Sequence, residues 1–199
     1  MRVMLQTLLR LLRLAPGARA DAMPASAADR PASGSTQQPV LEALLREEFE
    51  RCGYFKPEVR ERVIRAWLDG QSLAKVGRKL SVEEKKALGL NPRMLITQEL
   101  VDLLSSDGLT LRDPKTALSD PAICARHRLS RRESLQRSLK IGARQFKWRT
   151  TQTPDDCAWC LQNEGRTFGP DIIEQVERQC TCAPYCRGYI EPQLDDLLR

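Results

Sequence analysis

The sequence predicts an α+β chain on three observations: apolar residues recur at helical spacing across residues 40–141, the pattern switches to strand-like alternation at 145–151, and five of the seven cysteines fall within thirty residues near the C-terminus. These describe a helical N-terminal region followed by a small β-hairpin/helix module tied together by a metal ion. With 199 residues, 41% hydrophobic and 5% aromatic content, the chain has room for one modest domain plus extensions.

Met1 to Leu14 sets Leu5, Leu8, Leu9 and Leu12 on one helical arc with Arg2, Arg10 and Arg13 beside it, which predicts an amphipathic helix. The apolar run is too short and too interrupted for a transmembrane segment or a clean secretory h-region. A peripheral helix, a membrane-surface or targeting segment, and a true start lying further upstream are the readings left for it. Residues 15–39 are rich in Ala, Pro, Ser and Gly without a periodic apolar face and predict a disordered linker.

Ordered sequence is expected from Val40. Val40, Leu41, Leu44, Leu45 and Phe49 predict a helix over 40–52 that stops at Gly53, and Pro57 opens a second over 57–69 carrying Val59, Val63, Ile64, Trp67 and Leu68 inward. Ser81 with Glu84 has the spacing of a capping box for a short helix to Leu88. Asn91-Pro92 is expected to open another that runs through Leu104 and ends before Asp107-Gly108. Turns at Pro114 and Pro121 would then separate a last helix, capped by Ser130 and Glu133 ahead of Leu135, Leu139 and Ile141.

After Gly142, Gln145-Phe146-Lys147-Trp148-Arg149-Thr150-Thr151 alternates large apolar with polar side chains, as a half-buried strand does. Pro154-Asp155-Asp156 turns the chain into Cys157, residues 164–168 suit a hairpin return strand, and Gly169-Pro170-Asp171 opens a short helix over Ile172 to Arg178. A strand from Arg187 to Ile190 closes the module. So small a unit buries too little apolar surface to hold itself together without help.

That help is legible in Cys157-Ala158-Trp159-Cys160 and, twenty residues later, Cys180-Thr181-Cys182-Ala183-Pro184-Tyr185-Cys186. A Cys-x-x-Cys turn directs two thiolates at one ion, and a second close-spaced group completes a tetrahedron, so the expected cofactor is structural zinc. Disulfides or Cys-x-x-Cys redox chemistry are the competing readings. Zinc is preferred because no convincing signal peptide is present and Cys52 and Cys124 stand alone in helical sequence, where they read as small buried hydrophobes. His127, the one histidine, reads as a solvated helix-end residue among arginines; Trp148 and Trp159 read as packing residues. A closed four-thiolate site has no open position for substrate, and no nucleophile elbow, phosphate loop or His-Glu-x-x-His is present, so the chain reads as a non-enzyme.

The net charge is +6 and unevenly spread. Residues 126–149 hold nine Arg and Lys against Glu133 alone, a local +8, while residues 150–199 hold four arginines against nine carboxylates, a local −5. The basic stretch is equally a solvated helix face or a surface for nucleic acid or an acidic partner, and the acidic tail is able to neutralise it internally.

Phe146-Lys147-Trp148-Arg149-Thr150, then Asp156-Cys157-Ala158-Trp159-Cys160, then Asn163-Glu164-Gly165-Arg166-Thr167-Phe168, and finally Cys186-Arg187 ahead of Ile190-Glu191-Pro192, follow one another in an order that resembles the C-terminal part of the phage Mu F-like head morphogenesis family. The resemblance spans about residues 139–192, roughly a quarter of the chain. It implies a treble-clef-like zinc module over 142–192 with a tail over 193–199, and a minor capsid protein, encoded by a phage or prophage, that meets capsid or portal proteins in the host cytoplasm and enters the virion. The family's terminal His-Pro-x-Cys-Arg-Cys element corresponds here to Cys182-Ala183-Pro184-Tyr185-Cys186-Arg187-Gly188, with cysteine in place of its histidine and Gly188 in place of its last cysteine. The ligands this implies are Cys157, Cys160, Cys182 and Cys186, with Cys180 in reserve. The other function class compatible with the residues is a zinc-containing DNA-binding or regulatory protein in which residues 126–149 lie along phosphates.

Overall fold

The computed structural model describes residues 34–194, so the amphipathic segment 1–14, the linker as far as residue 33 and the end of the tail lie outside the described residues. Within them the chain is α+β, with eight α-helices, one 3-10 turn and a three-stranded antiparallel sheet. No described helix is long and apolar enough to cross a membrane.

Helix α1 (Gly34–Cys52) begins inside the stretch expected to be linker, with Pro39 as its sixth residue. Glutamines are good helix formers, and a proline this close to the start removes a single intrahelical donor, so packing of the following turns carries the helix back across it. Leu44, Leu45 and Phe49 are fully buried on its inner face. A 3-10 turn (Pro57–Val59) and α2 (Arg60–Leu68) fill the expected second helix. Helix α3 (Val82–Ala87) starts at the expected capping box: Ser81 Oγ accepts from the Glu84 N–H at 3.2 Å and the Glu84 carboxylate accepts from the Ser81 N–H at 2.7 Å.

The helix expected over 91–104 is instead confined to α4 (Gln98–Leu103). Asn91 accepts from the Arg93 N–H in a local turn, and the chain then runs extended against residues 78–80: the Leu80 N–H donates to Ile96 O and the Gln98 N–H to Arg78 O. Thr97, buried, caps α4 by accepting from the Leu100 N–H. Asp107-Gly108 does not stop a helix but lies within α5 (Ser106–Thr110), capped by Ser105. Glycine is required there by close packing, since a Cβ on Gly108 would sit 2.2 Å from the Tyr54 carbonyl oxygen.

The largest departure is α6 (Thr116–Lys140), which continues through both Pro121 and the Ser130/Glu133 pair that was expected to open a separate helix. Its inward stripe of Leu118, Ala122, Ala125 and Leu129 is built partly from alanines, whose small side chains give a weak apolar signal. Packing of that stripe against α1 offsets the donor lost at Pro121. The N-terminal half of α6 thus belongs to the helical core with Phe49, Phe55, Ile64, Leu100 and Leu104, whereas Leu135 and Leu139 belong to a second core around Phe146, Trp148, Ile172, Val176 and Ile190.

The second core is built on β1 (Gln145–Arg149), the middle strand in the order β2-β1-β3. Strand alternation sends Phe146 and Trp148 inward, both fully buried, with Phe146 opposite Phe168 on β2 (Thr167–Phe168) and Trp148 opposite Ile190 on β3 (Tyr189–Gln193). The last strand therefore lies a little beyond the expected 187–190, and Pro192 is tolerated because β3 is an edge strand. On the outer side Lys147 faces Glu191, and Arg149 donates to Glu191 at 2.5 Å and to Glu164 at 3.3 Å. Helices α7 (Ala158–Asn163) and α8 (Ile172–Gln179) complete the module.

A charge network crosses between the cores. Arg128 on α6 donates to the buried Glu48 of α1 at 2.7 Å and to Glu177 of α8 at 3.1 Å, and Arg132 donates to Glu177 at 3.0 and 2.7 Å. Burial raises the Glu177 pKa, but Arg132 and Arg128 outweigh it and hold the carboxyl below its ordinary value. A depressed folded-state pKa stabilises the fold above the unfolded carboxylate value, about 4.3, and that contribution disappears as pH falls through the folded value. Glu177→Gln should therefore cost about 1–3 kcal/mol at neutral pH. The gap between variant and parent should narrow toward pH 3 in denaturant titrations; a gap constant with pH would mean the carboxylate charge contributes nothing. Gly188 gives a second expectation, because a Cβ there would lie 2.2 Å from the Trp148 ring. Gly188→Ala should lower stability by about 1–3 kcal/mol through overpacking, read as a lower thermal midpoint with loss of Trp148 near-ultraviolet dichroism.

Candidate metal centre

Five sulfurs converge at one end of the second core. Cys157 is the N-cap of α7 and Cys160 lies in that helix's first turn, so a single helix start aims both thiols the same way. Cys180 is the C-cap of α8, and Cys182 and Cys186 lie on the irregular segment that leads from it to β3. The cysteines expected to be ligands are thus all brought to the site, and so is Cys180.

Cys157, Cys160, Cys180 and Cys182 have their sulfurs within 4.8 Å of one another, an arrangement that can hold a metal ion. Cys186 stands outside that quartet but reaches Cys160 at 3.8 Å. The remaining close approaches are Cys157 to Cys180 at 3.9 Å, Cys160 to Cys180 at 3.6 Å and Cys160 to Cys182 at 3.6 Å. A tetrahedron of sulfurs about 2.3 Å from a central ion has an edge of about 3.8 Å, so the spacing fits one mononuclear ion.

Backbone donors hold the sulfurs in place. The Thr181 N–H donates to Cys157 Sγ at 3.3 Å and the Cys157 N–H donates to Cys182 Sγ at 3.2 Å, crossing between the two cysteine groups. Burial opposes ionisation of Cys157, but N–H groups of Cys160 and Thr181 outweigh it and bring the thiol down to about 6. The Cys160 and Cys180 thiols and, against burial, the Arg131 guanidinium bring Cys186 down to about 2, while Cys160, beside Cys180 and Cys186, is pushed up. Thiolate character is what a metal ligand needs.

Arg131, read in the sequence as one more member of a basic run, is buried, at 6% exposure. Its Nη1 donates to the carbonyls of Cys186 at 3.2 Å and Gly188 at 3.3 Å, pinning the segment between the last cysteine and β3 to α6. Beside it, Arg51, Arg128, Glu48, Glu177 and Cys124 line a cleft of about 230 Å³ whose far wall is Cys180, Cys182 and Cys186. On the apolar side Trp159 meets Trp148 edge-on at 5.8 Å.

Cys52 and Cys124 stand apart from the quartet. Cys124 is buried and accepts from Arg51 Nη2 at 3.2 Å; burial, then Glu48, pushes its thiol up to about 12. Cys52 is only half-buried. His127 is not at a helix end but midway along α6, stacked on Tyr185 at 5.5 Å, and burial followed by Arg131 lowers its pKa. Sequence reasoning missed Arg131 and the Thr181 N–H, because neither a charge run nor a backbone donor announces which carbonyl or sulfur it will face.

Cys157→Ser should remove metal and loosen residues 145–193 while leaving the core around Phe49 and Leu100 protected, since the two cores share only α6 among the described elements. Hydrogen exchange with and without chelator checks this; uniform loss of protection across both cores would overturn it. No protein-family model, curated protein or solved structure matches the chain.

Proposed function

We propose that the chain is a phage or prophage head-morphogenesis protein of the minor capsid kind, with a structural zinc ion in its C-terminal module. The observation that carries the reading is the order in which strand, cysteine pair, Gly165-to-Phe168 hairpin, helix and second cysteine group succeed one another and return to a single thiol cluster. This order supports a treble-clef-like module and the resemblance to the Mu F-like proteins drawn from the same residues. Zinc follows from donor chemistry: four thiolates in tetrahedral spacing suit it, and such a closed site serves folding rather than turnover.

The competing reading, a DNA-binding regulator, needs the arginines of residues 126–149 to face phosphates. Several are engaged within the chain: Arg128 and Arg132 with Glu177, Arg149 with Glu164 and Glu191, Arg131 with backbone carbonyls, and Arg126 over the Trp67 ring at 4.9 Å. This favours protein contacts over a nucleic-acid face.

The test is paired. Co-expressed with the portal and major capsid proteins of the same phage or prophage, the chain should co-sediment with portal or procapsid particles, and purified protein should carry about one zinc by native mass spectrometry. Fluorescence anisotropy with random and genomic duplexes at physiological salt should show only weak binding that fades steeply with salt. Tight, sequence-selective binding lost in Arg137→Ala/Lys140→Ala would overturn the assembly reading, and metal-free protein with paired disulfides would end the zinc reading.

A further inference from the structure

The segment Cys180–Cys186 brings three thiols to an ion that needs only two from it. Cys157 and Cys160 occupy two corners of any tetrahedron, because both spring from the start of α7. Cys182 is tied to that pair, accepting from the Cys157 N–H at 3.2 Å and lying 3.6 Å from Cys160. Two thiols contend for the remaining corner. Cys180 lies 3.6 Å from Cys160 and 3.9 Å from Cys157 and sits within the quartet, whereas Cys186 stands outside it but lies 3.8 Å from Cys160, the edge expected for a thiolate tetrahedron being about 3.8 Å.

The backbone beneath both contenders is anchored. The Cys180 N–H donates to Val176 O at 2.9 Å, continuing α8, and the Cys186 carbonyl accepts from the buried Arg131 at 3.2 Å. Moving either sulfur into or out of a corner is therefore a side-chain rotation and leaves the fold alone. We infer that this is a five-thiol site with four coordination positions, in which Cys157, Cys160 and Cys182 are constant ligands and Cys180 and Cys186 alternate in the fourth. The inference rests on the zinc reading. Its consequence is a site that keeps its ion when one of the two alternates is lost, and that always presents one uncoordinated thiol beside the metal.

The experiment uses the full chain loaded with Co(II) as a spectroscopic stand-in for zinc. The wild type and the single variants Cys180→Ser and Cys186→Ser should each show the charge-transfer intensity of four thiolates and retain one equivalent of metal. The double variant Cys180→Ser/Cys186→Ser should lose about a quarter of that intensity, as three of four thiolates remain, and should bind metal at least tenfold more weakly. Wild type without metal would overturn the zinc reading and this inference together. Wild type with four thiolates, but a single variant reduced to three, would overturn this inference alone.

A second measurement covers a variant that fails to fold. Iodoacetamide labelling of zinc-loaded wild type, read by peptide mass spectrometry, should divide between Cys180 and Cys186, and Cys186→Ser should leave Cys180 unlabelled. Label on one of the two only, or on neither, would overturn the alternation.

Discussion

The convergence of five sulfurs on one point is what the C-terminal third of the chain depends on. Beyond α8 the path from Cys180 to Gly188 has no repeating hydrogen bonds. It is held by sulfurs, by the Thr181 N–H on Cys157 and by Arg131 on the carbonyls of Cys186 and Gly188. Strand β3, which completes the sheet, can form only if that path returns at the right height to pair Ile190 with Trp148. A core of this size contributes only a few kcal/mol, whereas a metal ion held by four thiolates would contribute on the order of 10 kcal/mol, so an ion bound here would make metal binding and sheet formation one folding decision.

Helix α6 connects that decision to the rest of the molecule. Its first half packs in the helical core, its last turns in the module core, and between them stand Arg128, Arg131 and Arg132. Arg128 joins Glu48 to Glu177 and so ties α1 to α8, while Arg131 reaches past the sulfurs. Burying guanidinium groups here is tolerable because their partners are buried with them, and a carboxylate or carbonyl left behind would be costly. The internal neutralisation that the sequence left open for the basic stretch is partly realised: Arg128, Arg131 and Arg132 fasten the two cores, and the acidic partners of the stretch include residues 47, 48, 164, 177 and 191.

What the sequence makes legible follows the strength of its local signals. The capping box at Ser81, the alternation of β1 and the return strand at Thr167 each depend on a few adjacent residues, and the α+β class follows from them. The continuity of α6 was hidden because alanines form its inner stripe and because Pro121 and Ser130 imitate helix boundaries. The extended run before α4 was hidden for the opposite reason: it exists only through pairing with residues 78–80, a partner no local pattern names. The cysteine site was legible in kind but not in detail, since spacing identifies which residues can meet and leaves open how a loop turns its side chains.

That limit has a physical source in the loop itself. Between Cys180 and Cys186 five residues separate the outer thiols, and a chain of that length, anchored at both ends, brings either outer thiol close to Cys160. The ligand set suggested by the sequence, with Cys186, and the quartet gathered in the structure, with Cys180, differ by one sulfur on a common frame of three. Cys180 lies within 4.8 Å of all three frame sulfurs, whereas Cys186 stands outside that quartet and meets Cys160 at 3.8 Å. They differ too in the anchor beneath each: the end of α8 for Cys180, and Arg131 for Cys186. Through Arg131 the Cys186 side of the cluster is tied to α6, and the Cys180 side is tied to α8.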